Sequence, residues 1–158
     1  MIVTTDYFTA LYDTLHGHLP FYGSGIEESL ERIPEDHFRH PVGHRTIDQL
    51  CAHMLAWRYD LIRRLHGEPR EKIEIDSPQD WPETTGLSKA EIIIEFNRTK
   101  ERLQAGIRQF DPAAMSDKLH PDYEYTNVQL LEGGAHHDIY HLGQINLIAS
   151  FLKNDELG

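Results

Sequence analysis

Cysteine is almost absent, with Cys51 alone among 158 residues. One thiol excludes an intrachain disulfide and every zinc or iron–sulfur site built from four cysteines. Any metal ion must therefore be held by His, Asp or Glu. Positive charge is scarce as well. Fifteen basic against 26 acidic residues leave a formal charge of -11, which repels phosphate backbones and anionic membrane surfaces, so no nucleic-acid partner is expected. Long apolar runs are also missing. No stretch approaches the roughly 18 apolar residues of a membrane span, and the N-terminal MIVTTDYFTALYDTL has neither the basic start nor the continuous apolar core of a signal peptide. These absences predict a soluble cytoplasmic protein with no membrane partner. Internal repeats and low-complexity segments are absent too, and no segment alternates in the manner of a strand between hairpin turns.

What remains is helical. The hydrophobic fraction of 39% suits one core, so residues 1–158 are expected to form a single domain. Four segments carry a 3.6-residue apolar period. The first runs from about Thr5 to His16, with Phe8, Leu11 and Leu15 on one side, and Gly17 and Pro20 end it. After the turn at Gly23 to Gly25 comes a short helical piece, IEESLERI, stopped by Pro34. The second long helix opens at Thr46, where TIDQ has the form of a capping box, and ends at Gly67 with the stripe Ile47, Leu50, Met54, Leu61, Ile62 and Leu65. Residues 68–86 hold three prolines and form a long connection of the kind that crosses the end of a bundle or lines a pocket. The third helix begins at Ser88, whose SKAE is another capping box, and carries Ile92, Phe96, Thr99, Leu103, Ile107 and Phe110 until Asp111-Pro112 ends it. After a second polar link, TNVQ at Thr126 repeats the capping pattern and starts a fourth helix reaching about Lys153. The pattern predicts an all-α four-helix bundle with long crossover loops.

The chemistry concentrates on the fourth helix, in HHDIYHLGQI at 136–145. At roughly 100° per residue, His137, His141, Gln144, Ile145, Ile148 and Leu152 share a face. The three aliphatic residues must be buried for the helix to pack, so the two imidazoles continue a buried ridge. Histidines at i and i+4 lie one turn apart, close enough to share one metal ion. A pair of hydrogen-bonded core histidines is the other reading that spacing leaves open. His53, mid-way along the second long helix and one turn before Trp57, is the natural third ligand, and its alternative is a half-exposed helix histidine. Asp138 can orient a ligating imidazole, supply an oxygen ligand or stand solvated on the surface. Gln144 can hydrogen-bond a metal-bound water or a neighbouring helix. Gly133 and Gly134 cost helix stability relative to Ala. Gly134 is expected to leave room beside the histidines or to admit a close helix crossing. His136 points away, and Cys51 reads as a small buried filler, since no basic residue adjoins it. His16, His18, His37, His40, His44, His66 and His120 fall at helix ends or in loops and carry no expected role.

The segments GGAHHDIYHLGQI and HRTIDQLCAHMLAWRYDLIRRLHGE, with weaker support from YGSGIEESL and DSPQDWP, resemble the DinB-like family, also described as YfiT-type metal-dependent hydrolases. The similarity covers most of the chain in the right order. It implies a DinB-type four-helix bundle holding a divalent metal, zinc or nickel before iron or manganese, on His53, His137 and His141. One departure is His44-Arg45-Thr46, where a Trp-Ser type start to the helix is frequent in the family; it is expected to touch the cap and leave the site alone. The resemblance further implies a homodimer and an enzyme acting on a small molecule, either a transferase that uses a low-molecular-weight thiol or a metal-dependent hydrolase, with Asp138 and Gln144 as catalytic candidates. A non-catalytic metal-binding stress protein is the alternative. The enzyme readings require an open cleft beside the ion, whereas the binding protein is favoured if Asp138 closes the fourth coordination position.

Overall fold

Reciprocal side-chain caps set three of the helix starts in the computed structural model, which describes residues 5–17, 23–68, 72–84, 86–118 and 124–155. His18, Pro20 and His120 lie outside the described residues. Five α-helices form among the described residues: α1 Thr5–His16, α2 Ile26–Arg32, α3 Ile47–Leu65, α4 Lys89–Gln109 and α5 Asn127–Asp155. At the head of α3, the Gln49 amide donates to Thr46 Oγ1 at 3.4 Å while the Thr46 amide donates to Gln49 Oε1 at 3.1 Å. Ser88 with Glu91 and Thr126 with Gln129 repeat the exchange before α4 and α5. Each box satisfies backbone donors that a helix end leaves without intrahelical partners. Two 3-10 turns, Glu35–Arg39 and Pro112–Ser116, are additions to the expected elements. No strand forms among the described residues, only an isolated bridge between Val42 and Arg45.

The expected stripes are the buried faces. Ile47, Leu50, Met54, Leu61, Ile62 and Leu65 of α3 meet Ile92, Phe96, Leu103 and Ile107 of α4 in one hydrophobic cluster with Phe8, Tyr12 and Leu15 of α1 and Leu131, Ile145 and Leu152 of α5. Helix α3 packs on α4 and α5, and α1 packs on the same two, so the four long helices close a ring with α1 diagonal to α3. The pairing of α3 and α5 is antiparallel: residue 53 faces residues 137 and 141, residue 58 faces 138, and residue 61 faces 134. That register positions the site.

Buried charge ties the bundle together at one level. Arg58 on α3 sends Nε to Asp138 Oδ2 on α5 at 3.0 Å, with Nη2 2.8 Å from the same oxygen, and Nη1 to Thr99 Oγ1 on α4 at 3.3 Å. Both members of the ion pair are almost fully buried. Tyr12 of α1 donates its hydroxyl to the main-chain oxygen of Leu131 at 3.0 Å. A Cβ on Gly134 would lie 2.6 Å from that hydroxyl oxygen and 2.7 Å from Leu61 Cδ2. The close helix crossing, one of the two uses expected for Gly134, is found. At Gly133 a Cβ would meet nothing within 4 Å.

Candidate metal centre

Helix α3 contributes His53 and α5 contributes His137 and His141, and one nitrogen from each lies within 4.8 Å of the other two. The ring centroids of His53, His137 and His141 stand 4.9, 4.6 and 4.5 Å apart pairwise. His53 and His141 are buried and His137 is half-buried. No cysteine or carboxylate joins them among the described residues.

The other nitrogens of two rings are held from behind. His53 Nδ1 lies 2.7 Å from the main-chain oxygen of Asp80 and 3.1 Å from its Oδ1. A carbonyl oxygen only accepts, so Nδ1 carries the proton and Nε2 turns a lone pair toward the cluster. Gln144 Oε1 holds His141 Nδ1 at 2.7 Å in the same manner. The Nε2 atoms of His53 and His137 then approach to 3.0 Å, close to the roughly 3.3 Å that separates two nitrogens sharing a tetrahedral cation. Burial first, then the neighbouring His141 and His53, push the His137 imidazole down to about 3. Burial likewise lowers His141. Three converging imidazoles, two of them with their tautomers held from behind, are a donor set that suits a divalent cation, so the residues present fit the metal that spacing suggested.

The long connection supplies the wall. Trp81 stacks on His53 at 4.1 Å and 13°, and Arg45 lies over the Trp81 ring at 3.8 Å. Asp80 also accepts from Trp57 Nε1 at 2.7 Å and from the Asp76 amide at 2.9 Å. Ile75, Asp76, Asp80 and Trp81 of this connection therefore line a pocket, one of its two expected courses. The departure at 44–46 is not confined to the cap, as expected from the sequence, because the Arg45 side chain reaches over the ring that covers His53.

A cavity of about 560 Å³ opens beside the three histidines, between α3 and α5. Four aspartates line it. Asp138 is paired with Arg58, Asp60 with Arg64, and Asp80 with His53 and Trp57; only Asp76 is exposed. Asp138 is thus engaged by Arg58 and is not part of the histidine cluster, while Gln144 meets His141 itself. Burial raises the Asp138 carboxyl and Arg58 opposes that shift. His136 is exposed and Cys51 fully buried, as expected, with burial pushing the thiol up. Sequence reasoning missed Asp80, Trp81, Arg45 and Arg58. Only the weak DSPQDWP resemblance pointed at the first two. His16 was given a helix-end position without a role, yet it is fully buried with no hydrogen-bond partner on either ring nitrogen.

These observations define an all-helical bundle carrying a three-histidine cluster of the type that binds a divalent metal. The family model described as DinB superfamily matches residues 25–145, and the chain belongs to that superfamily. Neither a curated protein nor a solved structure matches it. No described helix is long and apolar enough to cross a membrane.

Proposed function

We propose that the protein is a metal-dependent enzyme acting on a small molecule, and that its reaction transfers a group to or from a low-molecular-weight thiol. The observation that carries this reading is the open cavity beside three convergent imidazoles. A divalent cation held by His53, His137 and His141 supplies a Lewis acid there, with a coordination position left for substrate. Asp80 and Gln144 fix the imidazole tautomers, and Trp81 and Trp57 exclude water from one flank. Asp138 acts through Arg58 as a positioning residue that anchors α5 at the level of His137.

Transfer is favoured over hydrolysis by the carboxylates. A hydrolase needs a free base to take a proton from water, and of the four aspartates in the cavity three are committed to Arg58, Arg64 or His53, which leaves exposed Asp76 as the sole candidate among them. An external thiol brings its own nucleophile, and buried Cys51 is not required for one. Exposed Leu147 and Phe151 on α5 supply an apolar surface that supports the homodimer as part of this proposal.

The test is metal content by mass spectrometry on chelator-free, untagged protein beside His53→Ala and His141→Ala, followed by assays of thiol-plus-electrophile pairs. Near-stoichiometric metal that falls sharply in both variants, with turnover that stops when thiol is omitted, is expected. Turnover that persists without thiol selects the hydrolase. Absence of metal from the folded wild type after reconstitution overturns the enzyme reading.

A further inference from the structure

The three histidines occupy one end of their cavity. Along α3, His53, Trp57, Leu61 and Arg64 face it in turn, a run of twelve residues whose eleven steps span about 16 Å at 1.5 Å per residue. Along antiparallel α5 the same wall continues from His141 through His137 and Gly133 to Leu130. The space is therefore a trough leading away from the cluster.

Two features of this trough have no use in the fold. Ile75, Tyr125 and Tyr140 border it while 85%, 50% and 63% exposed, large and mainly apolar side chains left in water along its length. Gly133 lies one turn before His137 with open space where its side chain would be. A mid-helix glycine destabilises its helix relative to alanine. Packing against Tyr12 and Leu61 explains that choice at Gly134 and does not explain it at Gly133. The buried arginines of the wall are matched, Arg58 by Asp138 and Arg64 by Asp60, so the wall does not call for a charged ligand body.

Resting on the metal-site reading above, we propose that the trough binds an elongated, uncharged apolar molecule whose polar head meets the three histidines, and that Gly133 sets the length of chain it accepts. A compact polar substrate would need neither the apolar border nor the missing side chain. An extended chain laid beside α5 covers Ile75, Tyr125 and Tyr140 and passes through the space that a residue larger than glycine would fill.

Alkyl hydroxamates, from acetohydroxamate to decanohydroxamate, are the probes, titrated into metal-replete protein by calorimetry. Wild-type affinity is expected to rise about three- to fourfold per methylene until the trough is filled. Gly133→Leu should bind acetohydroxamate within twofold of wild type yet lose the gain for the long chains, with unchanged metal content and a melting temperature no lower than wild type. Gly133→Ala, whose Cβ meets no atom, keeps the test valid if the leucine variant folds poorly, and should cut the long-chain gain by a smaller factor. Equal affinity across the series in wild type, or equal loss for short and long chains in the variants, overturns the trough proposal while leaving the metal site standing. Failure of acetohydroxamate to bind, together with absence of metal, overturns both.

Discussion

His53 Nδ1 stands 2.7 Å from the main-chain oxygen of Asp80, 27 residues along the chain. A helix residue is thereby oriented by a loop residue, and the same aspartate receives the Trp57 indole through its side chain. Asp80→Ala keeps the main-chain acceptor and removes the carboxylate. Second-layer partners of metal-binding histidines are typically worth ten- to a hundredfold in affinity. The retained carbonyl puts this variant at the lower end, about tenfold weaker in competition against a chromophoric chelator, with a changed Trp57 emission. Unchanged affinity would show that the carbonyl alone orients the ring. Arg45→Ala should act in the same direction more weakly, since it loosens Trp81 and not His53 itself.

The two adjacent glycines of α5 should respond with opposite signs. Gly133→Ala adds a methyl to open space and gains up to about 1 kcal/mol of helix propensity. Gly134→Ala gains the same propensity but forces its Cβ against Tyr12 Oη and Leu61 Cδ2. Overpacking of this kind costs about 1–3 kcal/mol, so a net loss is expected. Urea midpoints at pH 7.5 for the two variants decide it, and a rise for Gly134→Ala would mean that α1 gives way without penalty.

These glycines also mark where the sequence was legible and where it was not. The stripes at Ile47 to Leu65 and Ile92 to Ile107, and the boxes at Thr46, Ser88 and Thr126, are local signals with periods and spacings that a single strip of sequence contains. The His137–His141 pair is readable for the same reason. Asp80, Trp81 and Arg45 reach the site through the path of a proline-bearing loop and a residue before a helix cap, and no period encodes such a path. Periodicity placed Gly134 on the histidine face but could not say that Tyr12, more than 120 residues earlier, fills the space. His16 looked like an ordinary helix end because its burial is created by the packing of other elements around it.

The buried pair Arg58 and Asp138 offers a stability test that separates loss of a partner from loss of a charge. Asp138→Leu leaves the guanidinium buried without its counter-charge, a defect of about 3–5 kcal/mol. The double variant Arg58→Met with Asp138→Leu removes both charges and should recover most of that loss in urea unfolding. If the double variant is as unstable as the single one, the pair is needed for the packing of α3 against α5 itself, beyond its charge balance.

His16 carries a pH dependence whose sign follows from its surroundings. It is fully buried, neither ring nitrogen has a hydrogen-bond partner, and burial, then Arg58 and Lys100, hold its imidazole well below the usual 6.5. Below about pH 6.5 the unfolded chain takes up a proton there that the folded chain refuses, so the unfolded state binds more protons and stability falls with the pH. His16→Met removes both the unpartnered nitrogens and that titration. Its unfolding midpoint should exceed wild type at pH 5 by more than at pH 8, and the slope of stability against pH should flatten over that interval. Parallel curves for the two proteins would show that His16 is protonated alike in both states, which is incompatible with its full burial at the end of α1.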